Sequence, residues 1–193
     1  MRWLLILGTI ILFSGMALAD VSGPKGGSSC TGLFDDWPDE GWDGCSSTYS
    51  SNNTRNLSMT LGSDIYITGF NMGVPTGATI TKFEVNLEGF SNLASGTRAF
   101  RVRFTKDGTN GVGAMWDQTV LLRSTDTVYT DNVADMLGMT CTPAEANAST
   151  FGVIVENTSD GGHDFCLDYL SITVTYTPPA PVKSRRFRLL GRE

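Results

Sequence analysis

The chain has 193 residues, 40% of them hydrophobic and 18% charged, with four cysteines, one histidine and a formal net charge of -6. That length allows one domain with a real core. The charge is uneven: residues 20–182 hold eight basic residues against nineteen acidic ones, a balance of -11, whereas residues 183–193 hold five basic residues and one acid, a balance of +4. An acidic body repels polyanions, which excludes nucleic acid as its partner.

Met1 and Arg2 form a positive start, residues 3–13 a short apolar run, and Ala17-Leu18-Ala19 a small-x-small cleavage site. Residues 1–19 therefore read as a signal peptide. The apolar run is shorter than the ~20 residues a spanning helix needs, so no stable membrane span is expected after cleavage. The expected destination is outside the cytosol: secreted, at the cell surface or in the periplasm. An even number of cysteines suits that oxidising compartment, where disulfides persist. Cys30, Cys45, Cys141 and Cys166 allow three pairings. The local one, Cys30 with Cys45, would leave Cys141 with Cys166 and could contribute roughly 3 kcal/mol by closing a short loop.

Residues 20–56 are rich in Gly, Ser and Asp, with Leu33, Phe34, Trp37 and Trp42 as apolar material. They are expected to form a long, disulfide-stapled loop ahead of a sandwich spanning residues 57–177. Asp35, Asp36, Asp39, Glu40 and Asp43 crowd into this segment, and Asp36, Asp39 and Asp43 are candidate calcium ligands, since hard cations take several oxygens. Their spacing departs from the EF-hand pattern, which favours a solvated acidic loop; calcium is the one cofactor the sequence admits.

Strands are expected at residues 57–61, 64–70, 79–90, 98–104, 114–123, 126–130, 151–155 and 165–176. The alternation of Phe83, Val85 and Leu87 with Glu84, Asn86 and Glu88 gives a strand with one dry and one wet face. Phe100, Val102 and Phe104 alternate with Arg101 and Arg103, which could form a binding stripe but on a wet face ordinarily meet solvent or acids on a neighbouring strand. Phe151, Val153 and Val155 alternate likewise, as do Leu170, Ile172, Val174 and Tyr176 with Ser171, Thr173 and Thr175. Pro75 and Gly77 mark a tight reversal between two strands, and Asp107-Gly108 with Asn110-Gly111 a hairpin turn. Residues 126–130 read as a strand near a sheet edge. Thr142-Pro143-Ala144-Glu145 is a capping box with proline at the first helical position, so one short helical turn is expected, with another at residues 133–137. Pro178, Pro179 and Pro181 end the last strand, and residues 178–193 form a Pro-rich and then basic tail. About eight strands and no long helix give an all-β, two-sheet antiparallel sandwich. A jelly roll is the first choice of topology and an immunoglobulin-like arrangement the second.

No reaction centre is legible. His163 lies in a Gly-rich turn beside Asp164 without a nucleophile elbow to serve, and none of the acidic residues is singled out as a glycosidase pair. Four Asn-x-Ser/Thr sequences begin at Asn52, Asn56, Asn147 and Asn157, which a eukaryotic secretory route could glycosylate; Asn, Ser and Thr are also simply common in β-turns.

Several stretches resemble a β-sandwich domain that recurs in bacteriophage virion and tail-associated proteins and in uncharacterised secreted bacterial proteins. They are Phe70 with the Val74-Pro75 turn and Gly77-Ala78-Thr79-Ile80; Gly138, Thr140, Ala144, Asn147, Ser149 and Phe151-Gly152-Val153; and Asp168, Ile172, Thr173, Val174 and Tyr176. The resemblance runs from Trp37 to Tyr176 and implies a fold rather than an activity. Cys141 stands where the pattern has an aromatic residue and Cys166 lies in the final strand, which suggests a disulfide between them. The expected function is that of an exported, non-enzymatic structural or adhesive surface module, in a virion or appendage, with self-association or a surface glycan or protein as partner. The alternative is a lectin-like, calcium-assisted carbohydrate-binding module with Trp37 and Trp42 as ligand-binding residues, which requires Trp37, Trp42 or Trp116 to face solvent.

Overall fold

The computed structural model describes residues 18–32, 57–59, 64–91, 97–121, 127–131, 138–158 and 165–181. Among the described residues, ten strands and one helical turn follow in order: β1 (Asp20–Gly26), β2 (Ser29–Gly32), β3 (Leu57–Met59), β4 (Asp64–Thr68), β5 (Thr79–Ser91), β6 (Thr97–Thr105), β7 (Gly111–Leu121), β8 (Thr127–Asp131), α1 (Pro143–Ala146), β9 (Gly152–Asn157) and β10 (Phe165–Thr177). One sheet runs β1-β10-β5-β8, with β3 also paired to β10; the other runs β2-β4-β9-β6-β7. Every pairing is antiparallel.

The pairings nest. β6 pairs with β7 across the turn at residues 106–110, β5 with β8, β4 with β9, and β1 with β10. These are the rungs of one long hairpin, and the pairs β5·β10 and β6·β9 roll it into two facing sheets. A hairpin rolled in this way is a jelly roll, the first-choice topology. Among the described strands β8 lies at a sheet edge, as its short polar sequence suggests.

Alternation explains the core. Ile65 and Ile67 of β4, Phe83, Val85 and Leu87 of β5, Phe100, Val102 and Phe104 of β6, Val153 and Val155 of β9, and Leu170, Ile172 and Val174 of β10 are buried together between the sheets. Phe83 lies 5.2 Å from Phe104 and 5.3 Å from Phe151, ring centre to ring centre, in tilted contacts. Aromatic contacts of this kind add to simple area burial.

The capping box is present in both directions: Glu145 N donates to Thr142 Oγ1 at 3.2 Å, and Thr142 N donates to Glu145 Oε2 at 2.7 Å. Lys106 Nζ meets Glu145 Oε1 at 3.0 Å and so ties α1 to the hairpin tip. In that tip, Asp107 accepts from the backbone N–H of Thr109 and Asn110 at 2.9 and 2.7 Å. The Asn110 side chain and these amides hold the Asp107 carboxyl well below the usual carboxylate range.

Three expectations need correction. The loop assigned to residues 20–56 contains β1 and β2, which belong to opposite sheets, so the sandwich begins at Asp20 rather than at residue 57. β1, with the sequence DVSGPKG, has no apolar alternation because it joins its sheet by backbone pairing on one side of β10. The Pro75 turn does form, with Ala78 N donating to Pro75 O at 3.1 Å and Gly77 at φ 82°. It joins no hairpin, however, because β4 and β5 lie in different sheets. Finally, Cys141 is a free thiol, so it forms no disulfide with Cys166; Cys30 is disulfide-bonded. Cys141 stands beside α1, which fastens to the segment leading into β5 through Met72 N to Ala146 O. The start of β5 pairs with the end of β10, Thr79 opposite Thr177, while Cys166 lies at the other end of β10. Eleven strand residues separate those ends by about 36 Å, far beyond disulfide reach.

Two of the four glycosylation sequences are committed to the fold. Asn147 clamps Val74, accepting from its N–H at 2.9 Å and donating to its C=O at 2.8 Å. Asn157 is wholly buried in β9. Asn52 and Asn56 lie outside the described residues.

Candidate functional site

The outer face of the β2-β4-β9-β6-β7 sheet gathers the chemistry. On β4, Ile65 and Ile67 point inward, which turns Asp64, Tyr66 and Thr68 outward. On β6 the same period turns Arg101 and Arg103 outward, and on β9 it does so for Ile154 and Glu156. Register then sets two rows. Asp64 faces Glu156, Glu156 faces Arg101, and Arg101 faces Asp117 across four strands. Beside that row, Thr31 faces Tyr66, Tyr66 faces Ile154, and Ile154 faces Arg103.

The rows are tied together by charge. Arg101 Nε meets Asp117 Oδ1 at 2.7 Å, and its Nη1 meets Glu156 Oε2 at 3.5 Å. The Asp117 hydrogen bond and charge hold the Arg101 guanidinium above its ordinary range. Arg103 Nη2 reaches Asp64 Oδ2 at 3.7 Å, to which Tyr66 also donates at 3.4 Å. Burial, and then the Asp64 carboxylate, push the Tyr66 phenol up, so it stays a neutral donor. Ile154 lies outside the core cluster yet is wholly buried, between Tyr66 and Arg103 in the register.

Gly111 fixes how Arg103 lies. A Cβ there would come within 2.4 Å of Arg103 Cδ and 3.1 Å of its Cζ, so the guanidinium lies against bare backbone. Arg103 therefore touches the start of β7 on one side and Asp64 on β4 on the other. Those contacts place Asp64 Oδ2 within about 8 Å of the Gly111 Cβ position, so one arginine side chain bridges from β4 to β7. The pairing of β6 with β7 shifts register between Val102 and Phe104, so a bulge in β7 lies opposite Arg103. The result is a face of planar groups, with carboxylate and guanidinium alternating and the Tyr66 ring beside them.

The sequence raised Arg101 and Arg103 as a stripe and foresaw acids opposite them; Asp117, Glu156 and Asp64 are those acids. Tyr66 and Ile154 carried no signal. Trp37, Trp42, Asp36, Asp39, Asp43 and Cys45 lie outside the described residues, as do His163, residues 133–137 and the basic tail. Trp116 is half-buried, edge-on to Phe100 at 5.5 Å, and serves the rim of the core rather than an open stacking surface. Burial pushes the Cys141 thiol up to about 11, which keeps it protonated and unreactive. Among the described residues no group of three or more His, Cys, Asp or Glu could hold a metal ion, and no helix is long and apolar enough to cross a membrane.

No family model matches the chain, and no curated protein matches it. Among solved structures, a xylan-binding module, CBM15, aligns over 86% of this chain and 100% of its own, with 14% sequence identity and a TM-score of 0.37, a likeness too slight to carry an argument.

Proposed function

We propose that the protein is an exported, non-catalytic surface module that adheres by binding carbohydrate on the outer face of the β2-β4-β9-β6-β7 sheet. The observation that carries this reading is the double row of Asp64, Glu156, Arg101 and Asp117 beside Tyr66, Ile154 and Arg103. Sugars are recognised through hydroxyls that donate and accept at once and through apolar ring faces that lie on flat side chains. Fixed carboxylates and guanidiniums supply both hydrogen-bonding partners, and Tyr66 supplies an aromatic surface. The ion pairs hold these side chains in place before a ligand arrives, which lowers the entropic cost of binding. Apolar leader residues 3–13 and the Ala17-Leu18-Ala19 site support an exported destination.

The test is a glycan-array screen on the disulfide-intact protein, with calcium and with a chelator, repeated on Tyr66→Ala and Arg103→Ala. Binding that survives the chelator and is lost in both variants is the expected result. Calcium-dependent binding indifferent to both substitutions would move the site to the acidic segment holding Asp36, Asp39 and Asp43. Silence throughout would refute the carbohydrate reading.

A further inference from the structure

We infer that this face selects uncharged glycan chains and turns anionic ones away, an inference that rests on the carbohydrate reading above. Exposed arginines are the usual captors of carboxylates and sulfates, which they grip with two parallel hydrogen bonds. Here both are already engaged. Arg101 sits between Asp117 at 2.7 Å and Glu156 at 3.5 Å, and Arg103 faces Asp64 at 3.7 Å. Three carboxylates against two guanidiniums leave the face negative, on a body whose balance over residues 20–182 is -11. An incoming anion would have to displace a protein carboxylate from its guanidinium. It would gain one pair for the pair it breaks, and would add a like charge beside the carboxylate set free.

A neutral hydroxyl faces no such exchange. A guanidinium carries five N–H donors, and a carboxylate accepts at about four lone-pair positions. The Arg101 contacts engage its Nε and one Nη1, so donors remain, and each carboxylate keeps acceptor positions beside them. Neighbouring donor and acceptor can therefore take the two roles of one sugar hydroxyl, or of two adjacent hydroxyls, with the ion pairs intact. Selection follows from that compensation, with no steric gate required.

The experiment is affinity electrophoresis in native gels that contain a neutral polymer (unsubstituted xylan, mannan or mixed-linkage glucan) or an anionic one (polygalacturonate or heparin). All forms carry glutamine in place of Lys183, Arg185, Arg186, Arg188 and Arg192, so that the tail cannot hold a polyanion. The forms are the otherwise native chain, Tyr66→Ala, and Asp117→Asn with Glu156→Gln, each checked for an unchanged urea midpoint. The native face should be retarded by at least one neutral polymer, with less than a twofold change as salt rises tenfold, and by neither anionic one. Freeing Arg101 in the double variant should create retardation by an anionic polymer that salt abolishes. Salt-sensitive capture of a polyanion by the native face would overturn the selection while leaving carbohydrate binding in place. A double variant that gains nothing would overturn the charge-compensation argument. Absence of retardation in every gel by every form would overturn this inference together with the carbohydrate reading beneath it.

Discussion

Gly152 and Gly111 make a paired test of where this sandwich tolerates a side chain. A Cβ on Gly152 would lie 1.9 Å from the Ile67 carbonyl oxygen and 2.8 Å from Thr68 Cα, both backbone atoms of the paired strand β4. Restoring ordinary contact at ~3.5 Å requires β4 and β9 to part by about 1.5 Å. Hydrogen bonds across the pair, such as Gly69 N to Phe151 O at 3.2 Å, lie on the path of that movement. Losing two or three of them, with the freed groups kept from water, costs about 3–5 kcal/mol, a large part of a typical domain's stability. On Gly111 the three atoms nearest the added Cβ all belong to the Arg103 side chain, which can swing away. The cost there is the half-exposed Arg103–Asp64 pair, worth no more than ~1 kcal/mol. Urea unfolding of Gly152→Ala and Gly111→Ala with the disulfide intact, extrapolated linearly to water, measures both. Equal losses in the two variants would refute the distinction between a backbone clash and a side-chain clash, and with it the placement of Arg103 over bare β7 backbone.

Asn147→Ala should cost about 2–4 kcal/mol in the same assay, because Val74 is left with a backbone donor and acceptor that have lost their partner; a loss under ~0.5 kcal/mol would contradict the clamp. Asn147 and Asn157 should also stay unglycosylated on passage through a eukaryotic secretory route, as read by peptide mass spectrometry, and a glycan on either would mean that its side chain is free in solution. The Thr142 backbone N–H and then Lys106 hold the Glu145 carboxyl below its ordinary range. That contribution is whole above the unfolded value near 4.3, and fades as pH falls through the lower folded value. Urea midpoints between pH 5 and 2 should therefore fall less steeply in Glu145→Gln than in the native chain, and parallel curves would remove Glu145 from the acid response. With its thiol held near 11, Cys141 should alkylate with iodoacetamide at pH 8 far more slowly in the folded chain than in urea. Equal rates would mean that burial does not protect it.

The parts of the fold legible in the sequence are those in which a strand buries one face against the core. β5, β6, β9 and β10 show period-two alternation because each side chain is sorted individually between water and core. The capping box at Thr142 and the turn at Asp107 are legible because short-range hydrogen bonds complete them. β1 was not legible. Its contribution is a row of backbone bonds to β10 and a few polar anchors, such as Lys25 Nζ to Asn71 O at 3.0 Å, none of which needs an apolar pattern. The Cys141–Cys166 pairing failed for a related reason: sequence carries the order of strands but not which end of the sandwich each terminus reaches.

The candidate site lies at the limit of what one strand can say about itself. Arg101 and Arg103 declare that one face of β6 is wet, and nothing in residues 98–104 tells a solvated face from a binding face. The difference is made by partners far away in the chain: Asp117 on β7, Glu156 on β9, and Asp64 with Tyr66 on β4, brought alongside only when the long hairpin rolls up. Gly111 belongs to the same set. In the sequence it is half of an Asn-Gly turn signal; in the fold it opens β7, while Gly108 takes the left-handed position of the turn at φ 83°, and it is the bare backbone against which Arg103 lies. In the fold, then, its missing side chain answers to a distant requirement rather than to the turn. Any substitution there that carries a Cβ should leave the hairpin formed and Arg103 displaced, which separates the stability of this sandwich from the arrangement of its outer face.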